Sequence, residues 1–132
     1  MKIFRLEEAN ALLPVVRPLL EKMVRARRDL AIALLEAEVG RRMDPEKAGG
    51  SATALGIDKT RELQAGLVDV VDAIQQHGCI LKDMDLGLVD FPALRGGQVV
   101  NLCWKMDEPT ISFWHTTDEG FSSRKSISRR RA

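Results

Sequence analysis

The strongest structural signal in this sequence lies in residues 14–42, which read PVVRPLLEKMVRARRDLAIALLEAEVGRR. Apolar side chains recur there at alternating steps of three and four residues, the spacing that aligns side chains along one side of an α-helix. This stripe contains Val16, Leu19, Met23, Ala26, Leu30, Ala33 and Ala37, and it is broadened by Leu20 and Leu34. The pattern predicts a long, core-facing helix that ends near Arg42.

Two prolines suggest where this helix begins. Pro14 has no backbone N–H and disfavours helical geometry at Leu13, so we expect a short separate helix from Glu7 to Leu13. Proline suits the first position of a helix, and the long helix is therefore expected to start at Pro14. Pro18 then falls near the first turn, where its cost is small.

The length of this helix bears on assembly. About 28 residues span ~42 Å at the α-helical rise, whereas a domain of this size has a diameter of roughly 36 Å. A straight helix would protrude unless another chain covers it, so we predict a homo-oligomer that forms through the helices. A bend or an early end at Gly40 is the alternative.

A second helix is predicted after a polar segment. Residues 43–56 contain Asp44–Pro45 and Gly49–Gly50, which favour a mobile loop. From about Asp58 to Gln76 the spacing of three and four returns, at Leu63, Leu67, Val70 and Ile74. The helical half, about residues 6–77, is therefore predicted to be a long antiparallel helical hairpin.

The second half, about residues 79–115, changes to short β-rich runs. The predicted strands are Cys79–Leu81, Gly87–Phe91, Gln98–Lys105 and Thr110–His115. Turns at Gly96–Gly97 and Asp107–Pro109 join successive strands into a small antiparallel β-meander at one end of the hairpin. If residues 107–109 form a three-residue loop, Asn101 and Cys103 share a face with Phe113 and His115. The fold class is α+β, with one domain over residues 1–123 and a flexible basic tail at 124–132.

Charge is distributed unevenly along the chain. The 132 residues contain 20 basic and 19 acidic side chains, and five of the basic ones lie in residues 124–132. The rest has 15 basic against 19 acidic residues, a net charge of −4, which argues against a general nucleic-acid surface. Aromatic residues make up only 5%, so few side chains can stack on bases. Nucleic-acid association is therefore confined to the tail.

Targeting signals and redox motifs are not found in the sequence. Glu7, Glu8 and Asn10 interrupt the N-terminal apolar stretch, and no uncharged run approaches the ~20 residues that cross a bilayer. Cys79 and Cys103 lack the short spacing of a metal-binding pair. We therefore predict a cytoplasmic protein with reduced thiols, no membrane association and no cofactor.

Several motifs resemble a known family. They are LEEANALLP at residues 6–14, RPLL at 17–20, LKDMDLGLVDFP at 81–92, LCW at 102–104, EP at 108–109, FWH at 113–115, and GF at 120–121 with Arg124. In this order they resemble the bacterial domain-of-unknown-function family 2203. The resemblance covers both ends of the chain, leaves out residues 40–56, and implies a fold and a bacterial cytoplasmic origin without implying an activity.

Candidate chemistry is concentrated in the second half. Asp90 lies between Val89 and Phe91 in an apolar strand, so an inward carboxylate would need a partner; capping of the following turn is the alternative. His115 ends a strand and would need a carboxylate to fix its tautomer, with Asp90, Asp118 and Glu119 as candidates, or it is a packed histidine bonded to the backbone. Metal ligation has weak candidates only: Asp83, Asp85, Cys103 and His115.

Arg124 completes the candidate site. It can hold an anion together with Lys105 and His115, or form a structural pair that closes the C-terminal segment over the sheet. The leading hypothesis is a non-enzymatic, oligomeric binding or scaffold module with a ligand or partner site at Asp90, His115, Glu119 and Arg124. The alternatives are a small enzyme or metal-binding protein that uses His115 with Asp90 or Glu119, and nucleic-acid association through the tail.

Overall fold

The chain folds into two helices followed by a sheet. The computed structural model describes residues 1–43 and 51–127. Helix α1 spans Leu6–Met43 and helix α2 spans Ser51–Gln75. Five strands follow, β1 (Ile80–Asp83), β2 (Leu88–Arg95), β3 (Gln98–Lys105), β4 (Phe113–Thr116) and β5 (Lys125–Ser126). They form an antiparallel sheet in sequential order, which confirms the predicted α+β class of helical hairpin and meander.

The predicted break in the first helix is wrong. Helix α1 is continuous, with Pro14 and Pro18 inside it. A proline in a helix interior costs roughly 3 kcal/mol through the lost hydrogen bond and its steric clash. Both prolines are exposed, whereas Leu13, Val16 and Leu20 are buried on the opposite side. Because these apolar contacts continue across both prolines, packing of one uninterrupted helix offsets the local cost.

Helix α2 begins earlier than the sequence predicts. It starts at Ser51, so Asp58 lies in the interior of the helix. The predicted loop is therefore wrong over residues 51–56. Residues 44–50 of that loop lie outside the described residues. Gly56 within a helix costs about 1 kcal/mol relative to alanine. Packing against α1, whose 38 residues span roughly 57 Å, offsets this cost. Across the described residues, neither helix contains a stretch that is long and apolar enough to cross a membrane.

The sheet follows the predicted register between β3 and β4. Strand β3 has the predicted bounds, and Asn101 and Cys103 pair with His115 and Phe113 on β4 as predicted. The connection between these strands runs over residues 106–112 and is longer than the predicted three-residue loop. Strand β2 is longer than expected and continues through Pro92 to Arg95. The N-terminal segment supports this extension, because the Phe4 N–H donates to the Pro92 carbonyl at 2.7 Å. Strand β1 starts one residue later than predicted, and β4 starts three residues later.

The two faces of the sheet differ in character. The face toward the helices, here the inner face, joins them in the hydrophobic core and carries Val89, Phe91, Ala93, Val100, Leu102 and Trp104. Side chains alternate between the faces of a strand, so Asp90, Cys103 and His115 point to the opposite, outer face. All three are nevertheless buried, because the C-terminal segment around Arg124 packs there.

One junction fixes α1 against the end of the sheet. The Trp104 indole N–H donates to the Glu108 carbonyl at 2.9 Å, and the Arg17 guanidinium donates to the same carbonyl at 3.2 Å. That guanidinium also lies 4.9 Å from the centre of the Trp104 ring. Nearby, the Asn10 side-chain oxygen accepts the Ile111 N–H at 2.9 Å. The N-terminal half of α1 is therefore held to the sheet by directional polar contacts as well as by packing.

The start of the predicted basic tail belongs to the sheet. Lys125–Ser126 form β5 and pair with Trp114 and Phe113 of β4. The Ile127 N–H continues this edge by donating to the Ser112 carbonyl at 2.9 Å. Residues 128–132 lie outside the described residues, so flexibility remains a prediction for that part of the tail alone.

Candidate functional site

Three chemically reactive side chains meet on the outer face of the sheet. Asp90 on β2 lies directly opposite Cys103 on β3, and His115 on β4 pairs with Asn101, two residues before Cys103. Their exposed fractions are 0% for Asp90, 0% for Cys103 and 2% for His115. One potential ligand atom from each residue lies within 4.8 Å of the others. We call these three residues the outer-face cluster.

His115 is fixed by bonds to both of its ring nitrogens. Nδ1 lies 2.7 Å from the Thr116 carbonyl oxygen, and Nε2 lies 3.1 Å from Asp90 Oδ1 and from Oδ2. A carbonyl oxygen only accepts hydrogen bonds, so the proton of a neutral ring belongs on Nδ1. Nε2 then directs a lone pair at the Asp90 carboxyl group. Of the three carboxylates considered as partners for His115, Asp90 is the one in contact with the ring.

Asp90 occupies an unfavourable environment for a carboxylate. Burial raises the pKa of its carboxyl group, and the nearby His115 and Lys82 only partly oppose this shift. Lys82 Nζ is 4.0 Å from Oδ2, beyond hydrogen-bonding distance. Among the described residues, Oδ2 receives no hydrogen bond in this arrangement. The contacts of the Asp90 carboxyl group are thus with the cluster and not with the turn that it was alternatively expected to cap.

Cys103 is a buried thiol between opposite charges. Burial, followed by the charge of Asp90, raises the pKa of the Cys103 thiol to about 12, and Arg124 opposes the shift. The second cysteine, Cys79, is also free, but it precedes β1, and its thiol donates to the Ile74 carbonyl at 3.3 Å. Strand β2 separates the two positions, so the cysteines are not on neighbouring strands.

Arg124 forms a structural pair rather than an open anion pocket. Its Nη2 donates to Glu108 Oε1 at 2.6 Å and to the Cys103 carbonyl at 3.1 Å. The guanidinium lies 4.1 Å from the centre of the Phe113 ring and 4.6 Å from that of Phe121. This arrangement closes the C-terminal segment over the outer face. The partner is Glu108, which lies in the predicted turn at residues 107–109 and was not assigned to the candidate site.

Replacing Arg124 by lysine should therefore destabilise the protein although it conserves the charge. Lysine cannot keep the planar stack between two aromatic rings and both hydrogen bonds, so we expect the free energy of unfolding to fall by about 1–2 kcal/mol in urea titrations. The matched control is Arg95→Lys, because Arg95 is exposed and its guanidinium lies over Trp114 alone. We expect this control to stay within about 0.5 kcal/mol of the unsubstituted protein. Equal effects of the two substitutions would contradict the structural role of Arg124.

The remaining candidates bond elsewhere. Glu119 accepts hydrogen bonds from the Thr116 N–H and the Lys125 ammonium group, which lower the pKa of its carboxyl to about 2. Asp83 accepts two backbone N–H groups of its own turn, and Asp85 pairs with Arg27 at 2.8 Å. The structure thus brings together Asp90, His115 and the weak candidate Cys103, and it separates Glu119, Asp83 and Asp85 from them.

The family of this protein is identified by comparing its sequence with the sequence profiles of known families. Residues 2–127 match the sequence profile of the family described as "Uncharacterized conserved protein (DUF2203)". The chain belongs to the DUF2203 family. Searches of curated proteins and of solved structures found no significant match. The outer-face cluster and Arg124 both lie within the part of the chain that matches DUF2203.

The DUF2203 chain also has an open cleft on the other side of the sheet. Its volume is about 360 Å³, and apolar side chains from the N-terminal segment and the inner face line it, among them Phe4, Val100, Leu102 and Trp114. None of the predicted site residues lines this cleft. No local sequence signal predicts this cleft, because its walls come from Ile3–Glu7 and from three different strands.

Proposed function

We propose that this DUF2203 protein is a non-enzymatic binding and scaffold module that self-associates through the far end of its helical hairpin. The observation that carries the proposal is a second apolar stripe on α1, formed by Ile32, Leu35, Val39 and Met43 and here named the distal stripe. Its side chains are 47%, 64%, 49% and 81% exposed. Their steps of three, four and four residues align them on one side of the helix.

The distal stripe differs from the stripe that faces α2. On the side of α1 that faces α2, Ala33 is buried, and Leu30 and Ala37 are partly buried. Leu34, which was expected to join the core, is 53% exposed, and Ile57 on α2 is 47% exposed at the same end of the hairpin. Exposed apolar side chains aligned along one side of a helix, as in the distal stripe, are typical of an interaction site.

A second copy of the chain is the partner that fits this surface. From Arg28 to Met43, α1 carries three arginines and three acidic residues, so its net charge is zero. Two such ends do not repel each other, and the surface offers no charge excess for a strongly acidic or basic partner. The helix is also longer than the body of the protein needs, which places this apolar end clear of the sheet.

Leu35→Glu tests the proposal because Leu35 lies within the distal stripe and is 64% exposed. A carboxylate there would be desolvated in the interface, so we expect the dimer dissociation constant to rise at least about 100-fold in sedimentation equilibrium. Leu94→Glu is the matched control, since Leu94 is 61% exposed but belongs to β2. This control should leave the dissociation constant within about twofold of the unsubstituted protein. An interface at the distal stripe would be contradicted if both substitutions weakened dimerisation equally, or if neither weakened it.

The other hypotheses have less support. Catalysis by His115 with Asp90 requires a substrate to reach them, and both side chains are almost completely buried. Glu119 is bonded to Thr116 and Lys125, so it does not assist His115. In the tail, two of the five basic residues, Arg124 and Lys125, are paired with Glu108 and Glu119. The remaining three arginines of the tail lie outside the described residues, and nucleic-acid binding by the tail would depend on them.

A further inference from the structure

The donor atoms of the outer-face cluster are close enough together to share one cation, either a proton or a metal ion. With the ring proton of His115 on Nδ1, the lone pair of Nε2 faces two carboxylate oxygens at 3.1 Å. Two lone-pair groups at this distance repel each other in a buried site unless a proton or a metal ion lies between them. Both oxygens of Asp90 lie equally far from Nε2, and the Cys103 thiol is the other hydrogen-bonding neighbour of this carboxyl group.

We propose that Asp90, Cys103 and His115 bind a divalent transition-metal ion. An imidazole nitrogen, a thiolate sulfur and a carboxylate oxygen together suit Zn²⁺ or Fe²⁺, whereas Mg²⁺ and Ca²⁺ prefer sites made only of oxygen ligands. The charge of +2 balances the carboxylate and the thiolate, so the occupied site is neutral overall. This inference is independent of self-association through the distal stripe.

The surroundings of the cluster fit this assignment. A histidine that binds a metal through one nitrogen usually donates its other N–H to a backbone carbonyl or a carboxylate, and His115 does so to Thr116. The separation of 3.1 Å between Nε2 and the carboxylate oxygens is close to the distance between two ligand atoms of a tetrahedral ion, about 3.3 Å for bonds of about 2 Å. Three protein ligands leave one position for a water molecule or a further group.

Binding has a defined proton balance. The Cys103 thiol loses its proton when sulfur coordinates the ion, and the proton shared by Asp90 and His115 also leaves. One divalent ion therefore enters as two protons are released to solvent. No electron transfer is required, so Zn²⁺ and redox-inactive probes of the same charge bind by the same exchange.

Cobalt absorption tests this site in the full-length protein. The chain is freed of metal with a chelator, exchanged into buffer and titrated with Co²⁺. We expect saturation at one ion per chain, with a thiolate-to-cobalt charge-transfer band in the near ultraviolet and visible bands of a tetrahedral ion. Added Zn²⁺ should abolish these bands by competition, and excess Mg²⁺ should not.

The two buried cysteines provide a matched pair of variants. Cys103→Ser should remove the charge-transfer band, whereas Cys79→Ser should keep it, because the Cys79 thiol bonds to Ile74 outside the cluster. Far-ultraviolet circular dichroism checks that each variant is folded. If Cys103→Ser does not fold, the comparison of unsubstituted protein with Cys79→Ser remains decisive. Absence of a thiolate band in the folded, unsubstituted protein at excess Co²⁺, or its loss only in Cys79→Ser, would overturn the assignment.

Discussion

In metal-free protein, replacing His115 by leucine is expected to lower the free energy of unfolding by about 3–5 kcal/mol. Asp90 is fully buried, and its carboxyl group depends on His115 for its close hydrogen bond. Without the imidazole, Asp90 must either keep a charge away from water or take up a proton that it would release in the unfolded chain at neutral pH. Either outcome costs folding free energy.

The double variant Asp90→Val/His115→Leu separates the charge effect from packing. When both partners of a buried polar pair are replaced by apolar groups, much of the desolvation cost disappears. We therefore expect the double variant to regain at least half of the stability lost by His115→Leu in urea titrations with a chelator present. A loss below about 1 kcal/mol for His115→Leu, or an additive loss in the double variant, would contradict a coupled Asp90–His115 pair.

Replacing Trp104 by alanine is expected to have a similarly large effect, about 3–5 kcal/mol of unfolding free energy. Trp104 has no exposed surface, and its ring lies beneath the Arg17 guanidinium of α1. Alanine would leave a large cavity where α1 meets the sheet. It would also remove the hydrogen bond from the indole N–H to the Glu108 carbonyl.

Trp104→Phe divides this effect into its packing and hydrogen-bonding parts. Phenylalanine keeps an aromatic ring under Arg17 but has no N–H, so we expect a loss of about 1–2 kcal/mol. Trp114→Phe is the control, because Trp114 is only partly buried and its Nε1 has no hydrogen-bond partner among the described residues. It should cost less than about 1 kcal/mol. If Trp104→Phe were as damaging as Trp104→Ala, the packing of the ring would not be the main contribution.

Local sequence signals predicted the sheet best in the register between β3 and β4. The register that a turn at residues 107–109 predicts for β3 and β4 is observed, so the pairing of Asn101 with His115 was predictable, although the connection in the structure runs over residues 106–112. Strand β5 was not, because two exposed residues in a basic segment carry no period that distinguishes a strand from a tail. Its position depends on Arg124, whose partner Glu108 lies 16 residues earlier.

In the helices, local sequence signals were less reliable than in the sheet, because long-range packing decides the outcome. Pro14 predicts a break from local geometry, but buried side chains on both sides of it keep α1 continuous. The spacing of apolar residues in α1 predicted the stripe that faces α2. The distal stripe has the same spacing, so periodicity alone does not show which of the two is buried. At the candidate site, the sequence named Asp90, Asp118 and Glu119 as possible partners of His115. The order of β2, β3 and β4 selects Asp90, because it places the two side chains in contact across β3.

Self-association through the distal stripe sets the mass of the unsubstituted protein in solution. Static light scattering on a size-exclusion column gives this mass without assuming a molecular shape. We expect a dimer of about twice the chain mass of 14.7 kDa. A mass of 14.7 kDa that persists as the protein concentration is raised would contradict it.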